Sequence, residues 1–471
     1  MAKISSNMRA IVAIFSAIAV FIVVAATAAW AIESEGEMFS RGRIVGNLGV
    51  AHADVGVYPD RSDAGAATPD RTGGTDTLTI PDGAEIVEAV VYWAGRGPDW
   101  SDDSIQVDGT TVTADIDYSW AGPGFVQTTY IADLTAAGVS FTTGTNTLTV
   151  DGIDHDGQRG YGAGVIVVYE DSSLPEVELE LFEGNEFAFF RDTFADEIGN
   201  AAEHTNVSCI QFAPALETRT ATTFARIMGV DAGRSDGPPR TQRIQWWVGT
   251  EGVTAPVVDG IVGIPSEAPA ASVDNPIIPK VDPSASWGSD VHEASIEIGA
   301  GDSELCTQVQ SVSLGDGQGA SLALTNSGGL AETVHRIGNL IWLDGNEDGM
   351  ADLGEPGIDG VTVELFEVGS DAPLASTVTS NDGEYFFEGV LCGTYQIKVS
   401  GGQTVWTVNG EPVDPATLIP GSVSNPNAND DNDNDNNGVV MGDMVLSGEI
   451  EIGDCGEDGD FSNSASNEPT N

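Results

Sequence analysis

The sequence is poorest in positive charge. Lysine and arginine together number 17 of 471 residues, against 73 aspartates and glutamates, for a formal net charge of −56. Two of those cations, Lys3 and Arg9, lie within the first 31 residues, and every acid lies after them. Nucleic acid and anionic lipid surfaces are thereby excluded as expected partners, because phosphate binding needs a basic face. Cysteine is also scarce. The four present, Cys209, Cys306, Cys392 and Cys455, form no C-x-x-C pair, which argues against a zinc site. The five histidines are scattered and make no H-E-x-x-H pattern. After residue 31 no run is apolar enough to cross a bilayer, and no sortase-type or hydrophobic C-terminal anchor is visible. Helix formers are few.

What is abundant points to strands and tight turns. Glycine numbers 58, accompanied by Thr, Val and Asp, the composition of an all-β protein. Residues 1–31 read as a secretory signal peptide: Lys3 and Arg9 ahead of an apolar run from Ile11 to Ala26, then Ala29-Trp30-Ala31 as a small-x-small cleavage site. An uncleaved anchor helix is the alternative reading of the same stretch. An extracellular location, secreted or at the cell surface, follows from either. Membrane contact is expected only through this segment or an unseen anchor. In a secreted chain four cysteines read as two disulfides. Cys209–Cys306 and Cys392–Cys455 keep each pair within one expected domain, while sequence alone leaves three connectivities open.

Three folded regions are expected. Residues 32–172 hold short strands with turn signals and read as a β-sandwich or jelly roll. DTLTI (76–80) precedes the turn PDG, and SIQVDGTTVTADI is a hairpin on the two-residue turn Asp108-Gly109. VIVVYE is a continuous apolar run and predicts a strand buried on both faces. Residues 173–335 have the same texture and read as a second sandwich or the second half of the first. Five prolines between Pro265 and Pro283 predict a long surface loop there, since no central strand tolerates them. SGGLAETVH (327–335) is the expected boundary before a third region, 336–471. In that region Tyr385 and Phe387 should face one way and Phe386 the other, by the strand period of two.

The strongest site signal is the segment DGNEDGMADLGE, 344–355. Asp344, Asn346 and Asp348 occupy alternate positions, Gly349 stands where the chain must turn, Met350 offers a main-chain carbonyl, and Asp352 and Glu355 complete an EF-hand-type calcium loop. The flanking runs IGNLIWL and VTVELFEV read as strands rather than helices. A loop so placed should act as a structural clip, not as a sensor that swings helices apart. A second stretch, 427–443, offers Asp433, Asp435 and Asn437 in the same spacing but lacks the closing glutamate, and is entered as a second, weaker calcium candidate.

At these residues a resemblance appears. IGNLIWLDGNEDGMADLGEPGIDGVTVELFE, followed by GEYFFEGVLCGTYQIKV, resembles the B domain of serine-aspartate repeat surface adhesins, the SdrD B-like family. The resemblance implies a transthyretin-like β-sandwich with bound calcium, used as a stalk module outside the cell. It covers residues 336–400 well. It differs from the usual layout in showing one such module and no serine-aspartate repeat.

Other candidates are weaker. Gly233-Arg-Ser235-Asp-Gly237 matches the G-x-S-x-G nucleophile elbow, but Pro238 and Pro239 follow where a helix must start. Asp151, Asp154 and Asp156 read as an acidic turn. Five arginines between Arg219 and Arg243 suggest either a local positive docking face or strand residues paired with acids. Trp246-Trp247 puts one ring on each face of a strand, one for the core and one able to stack on sugar. Asn206-Val-Ser208 is a glycosylation sequon. The expectation is therefore an adhesin-like structural protein without catalysis, stiffened by Ca²⁺ and directed at an unknown surface receptor, glycan or matrix component. The alternative is a carbohydrate-binding or carbohydrate-active jelly-roll protein.

Overall fold

In this computed structural model the described residues are 32–33, 38–56, 73–98, 101–122, 125–153, 159–191, 205–230, 241–250, 273–276, 288–312, 318–400, 406–414, 438–441 and 444–453. Among them every regular element is a β-strand. The expected all-β class holds, and the apolar residues show why: they alternate along strands rather than recurring at helical spacing.

Four sheets stack face to face to form the head, the part before residue 335. The first, outermost sheet runs Gly74–Ile80, Gly144–Asp151, Ser104–Val107, Thr110–Thr113. Its hairpin turns on Asp108 (φ 49°) and Gly109 (φ 77°), as the Asp-Gly dipeptide predicts. It packs on a second sheet that includes Glu85–Gly97, Arg159–Glu170 and Leu48–Gly56, through a core of Ile80, Val91, Trp93, Val107, Leu148 and Val165. The third sheet contains Gly288–Ile298, Arg219–Val230, Gln318–Glu332, Val177–Arg191 and Met38–Gly46. The fourth contains Ser208–Gln211, Glu304–Val312, Thr241–Gly249 and Val273–Pro276, and it meets the third over Ile227, Trp246, Ile296 and Val309. The second and third sheets meet in turn over Tyr92, Ile166, Val168, Leu179, Phe224 and Met228. Val165, Ile166, Val167 and Val168 are all buried because their strand has a sheet on each side.

The strand pairing bears on three expectations. The division at 172/173 does not partition the chain, because Met38–Gly46 pairs with Val177–Arg191 in the third sheet, while Ile32–Glu33 before it and Leu48–Gly56 after it belong to the second. The proline-rich loop contributes a strand, Val273–Pro276, at the sheet edge where a missing N–H is tolerated. The boundary expected at 327–335 lies mostly inside the strand Gln318–Glu332, leaving Thr333 and Val334 as the only residues between that strand and His335–Leu340.

The third region builds its own core from Ile337, Val361, Leu365, Tyr385, Phe387, Tyr395, Ile397 and Ile450. Glu384–Val390 follows the predicted period: Tyr385 and Phe387 are buried while Phe386 is exposed.

Candidate metal centre

The loop 344–355 leaves the strand His335–Leu340 and returns at Ile358–Asp359. Its neck is closed by main-chain pairing: Ile358 N–H donates to Ile341 O (2.7 Å), Leu343 N–H to Pro356 O (2.9 Å), and Trp342 bridges Gly357. A rigid neck holds the ends of a twelve-residue loop together.

Inside the loop the side chains of Asp344, Asn346, Asp348 and Glu355 turn back on the main chain. Asp344 Oδ1 accepts from Glu347 N–H (2.6 Å) and Oδ2 from Gly349 N–H (2.9 Å). Asn346 Oδ1 accepts from Asp348 N–H at 3.0 Å, and Asp348 Oδ1 from Met350 N–H at 2.9 Å. Glu355 reaches across, accepting from Gly345 N–H (2.6 Å) and Asn346 N–H (3.3 Å) on Oε1 and from Asp352 N–H (3.1 Å) on Oε2. Gly349 has φ +80°, a left-handed turn that an L side chain resists. Glu347 takes φ +60° despite its side chain.

The chemistry of this donor set fits a hard divalent cation. Five acids and Asn346 stand in twelve residues with no basic residue. The Asn346 amide donates to Asp348 Oδ2 (2.9 Å) and Asp352 Oδ2 (3.0 Å), a donor between two carboxylates where a cation would meet the same oxygens. Asp348, Asp352 and Glu355 each accept from Asn346, while Asp344 accepts from Glu347 and Gly349 N–H. Among the described residues, the one group of at least three acidic, His or Cys ligand atoms mutually within 4.8 Å is Cys209, Glu304 and Cys306. It is no metal site, since both sulfurs are committed to a disulfide.

The remaining candidates separate clearly. Cys209–Cys306 is bonded across directly opposed strand positions. Cys392 is disulfide-bonded as well, and Cys455 lies outside the described residues. Asp433, Asp435, Asn437, Asp154, Asp156 and the Gly233–Gly237 motif also lie outside them. Asn206 is exposed, its main-chain N–H held by Glu186. The sugar-stacking reading of Trp246-Trp247 is overturned: both rings are buried, at 0% and 2% exposure, because both faces of their strand are covered. The arginine docking face is corrected too. Arg219 and Arg226, the two of the five whose side chains are described, are buried rather than displayed.

Arg226 belongs to a polar seam that sequence reading missed. It lies between the second and third sheets, fully buried, with Nε 3.0 Å from Asp54 Oδ1 and Nη2 donating to Val165 O (3.1 Å). Ser289 donates to the same Asp54 oxygen at 2.7 Å. Gly164 makes room, since a Cβ there would sit 2.2 Å from Arg226 Nε. Further along, Arg41 pairs with Glu183 (3.0 Å) and Glu88 (2.7 Å). Burial opposes the Arg41 charge, but Glu183, Tyr92 and Glu88 outweigh it and hold the guanidinium protonated. Burial also raises the Glu183 carboxyl, with Arg41 offsetting part of the rise. The available signal was one lone charge in each of two apolar runs, Asp54 in VAHADVG and Arg226 in FARIMGV.

Fold and loop together define a β-sandwich protein that carries a calcium-loop-like segment between strands, and comparison with known sequences gives that part a family. Residues 335–417 match the SdrD B-like domain. Serine-aspartate repeat-containing protein D of Staphylococcus aureus strain MW2 is 36% identical over 106 residues, which is 21% of this chain and 8% of that protein. Colossin-C of Dictyostelium discoideum is 33% identical over 88 residues, 18% of this chain and 9% of its own. The chain thus spans less than a tenth of the length of these relatives.

Proposed function

We propose that the chain is an extracellular, adhesin-like structural protein, in which the loop 344–355 binds Ca²⁺ as a clip and the four-sheet head is the part presented to a surface receptor, glycan or matrix component. The observation that carries this reading is an SdrD B-like domain whose strand-to-strand loop gathers five acids and Asn346 on a closed neck. Asp344, Asn346, Asp348, Asp352 and Glu355 would hold the ion by side-chain oxygens and Met350 by its carbonyl. Bound there, Ca²⁺ supplies charge neutralisation and a fixed loop shape, with no chemistry of bond making. Asp433, Asp435 and Asn437 are proposed as a second, weaker set. No catalytic role is assigned. The carbohydrate alternative loses its stacking argument with the burial of Trp246 and Trp247.

Calorimetric titration of the full chain with CaCl₂ after chelation tests this. The expected result is saturable binding that weakens when Asp344→Ala and Glu355→Ala are combined. Equal binding by the variant, or none by the unmutated chain, contradicts it.

A further inference from the structure

We infer that the head and the SdrD B-like domain are clamped into one rigid arm, by a junction built from residues 212–219 of the head and 388–392 of the domain. This goes beyond the calcium reading, because no group in the junction belongs to the loop 344–355.

The covalent link is already short. Thr333 and Val334 alone separate the last head strand from the first strand of the domain. Thr333 is buried, its N–H donates to Glu176 O (3.0 Å), and its hydroxyl reaches both Glu176 O (3.2 Å) and Oε1 (3.0 Å). A two-residue link tied at its first residue has little room to swing.

A second crossing comes from the head loop after Ser208–Gln211. Leu216 N–H donates to Gly389 O at 2.7 Å, and the Leu216 side chain packs against the core of the domain. Gly389 makes this approach possible. It has φ +80°, and a Cβ on it would sit 2.5 Å from Pro214 O and 3.2 Å from Leu216 N. A third crossing is the Cys392 main-chain N–H, which donates to the Glu332 carboxylate.

The head loop is fixed from behind. Buried Arg219 donates to Glu332 O and to Ala213 O, with its guanidinium carbon 4.9 Å from the centre of the Phe212 ring. Ala215 O accepts from Gly301 N–H at 2.9 Å. The Cys209–Cys306 disulfide pins the strand that leads into the loop. Contacts additional to the covalent link remove the hinge that a tethered stalk module would have.

The test is pulsed dipolar spectroscopy on the full chain, with spin labels on Thr77→Cys in the head and Asp371→Cys in the domain, both exposed sites; among the described residues no cysteine is free to compete for the label. One narrow distance distribution is expected, unchanged by chelator. Gly389→Ala should broaden it, through the clash with Pro214. Leu216→Ala, which leaves every strand backbone intact, should broaden it as well and decides the matter if Gly389→Ala impairs folding. A broad distribution in the unmutated chain, or a narrow one in Leu216→Ala, overturns the inference. Loss of the narrow distribution on chelation alone would assign the rigidity to the loop instead, and also overturns it.

Discussion

At the residue scale, the Asp54–Arg226 pair shows how a charge can be buried without being displayed. Both side chains have zero exposure, and both are hydrogen-bonded beyond each other, to Ser289 and to Val165 O. Removing one member strands the other in a low-dielectric seam. Asp54→Ala is therefore expected to cost about 3–5 kcal/mol in denaturant unfolding, while an apolar replacement of both partners should cost much less. Equal losses for the single and double variants would contradict that reading. His335 gives a second residue-scale prediction. Burial depresses its pKa below the ordinary 6.5, with Glu176 opposing, so the folded state prefers the neutral ring. The stability this group contributes is present above pH 6.5 and is lost as pH falls through its depressed folded value. Glu332 and Glu217, nearby, are raised from 4.5, mainly by burial, and act in the opposite sense. Their contribution is present below pH 4.5 and is lost as pH rises through their raised values. His335→Gln should thus flatten the loss of melting temperature just below pH 6.5 and leave the more acidic limb unchanged.

At the scale of elements, what could be read from sequence was what is local. The Asp108-Gly109 hairpin, the period-two burial of Tyr385 and Phe387, and the doubly buried VIVVYE strand depend on neighbours a few residues away. The twelve-residue loop was legible for the same reason, as its oxygens and its turn glycine lie in one short segment. The seam was not legible, because its ion pair joins positions 172 residues apart and nothing near Asp54 names Arg226. The path of Met38–Gly46 into the third sheet was hidden too, since pairing partners leave no mark on a strand's own composition. Trp246 and Trp247 were misread because a strand's period tells which residues share a face, not whether that face is covered. The Cys209–Cys306 bridge closes a separation of 97 residues across one strand pair. Replacing both cysteines by serine should cost roughly 4–5 kcal/mol on the chain-entropy account, with greater loss of protection from hydrogen exchange in Ser208–Gln211 than in Glu85–Gly97.

At the scale of the molecule, four stacked sheets share three cores, and the chain passes between the two sandwiches three times, before Met38, at Leu48 and again before Val177. The head should therefore unfold as one cooperative unit rather than as two. A large excess of acid favours solubility and works against compactness by self-repulsion, and the proposed calcium clip would relieve that repulsion within the loop 344–355. The most direct test is the thermal unfolding of the full chain in excess Ca²⁺ and in EDTA, with and without Asp344→Ala plus Glu355→Ala. At a hundredfold excess over the dissociation constant, linkage gives about 2.7 kcal/mol of stabilisation. The transition reporting on the SdrD B-like domain should rise with calcium in the unmutated chain and stay at its EDTA position in the variant. An unmutated chain whose melting is the same in calcium and in EDTA would contradict it.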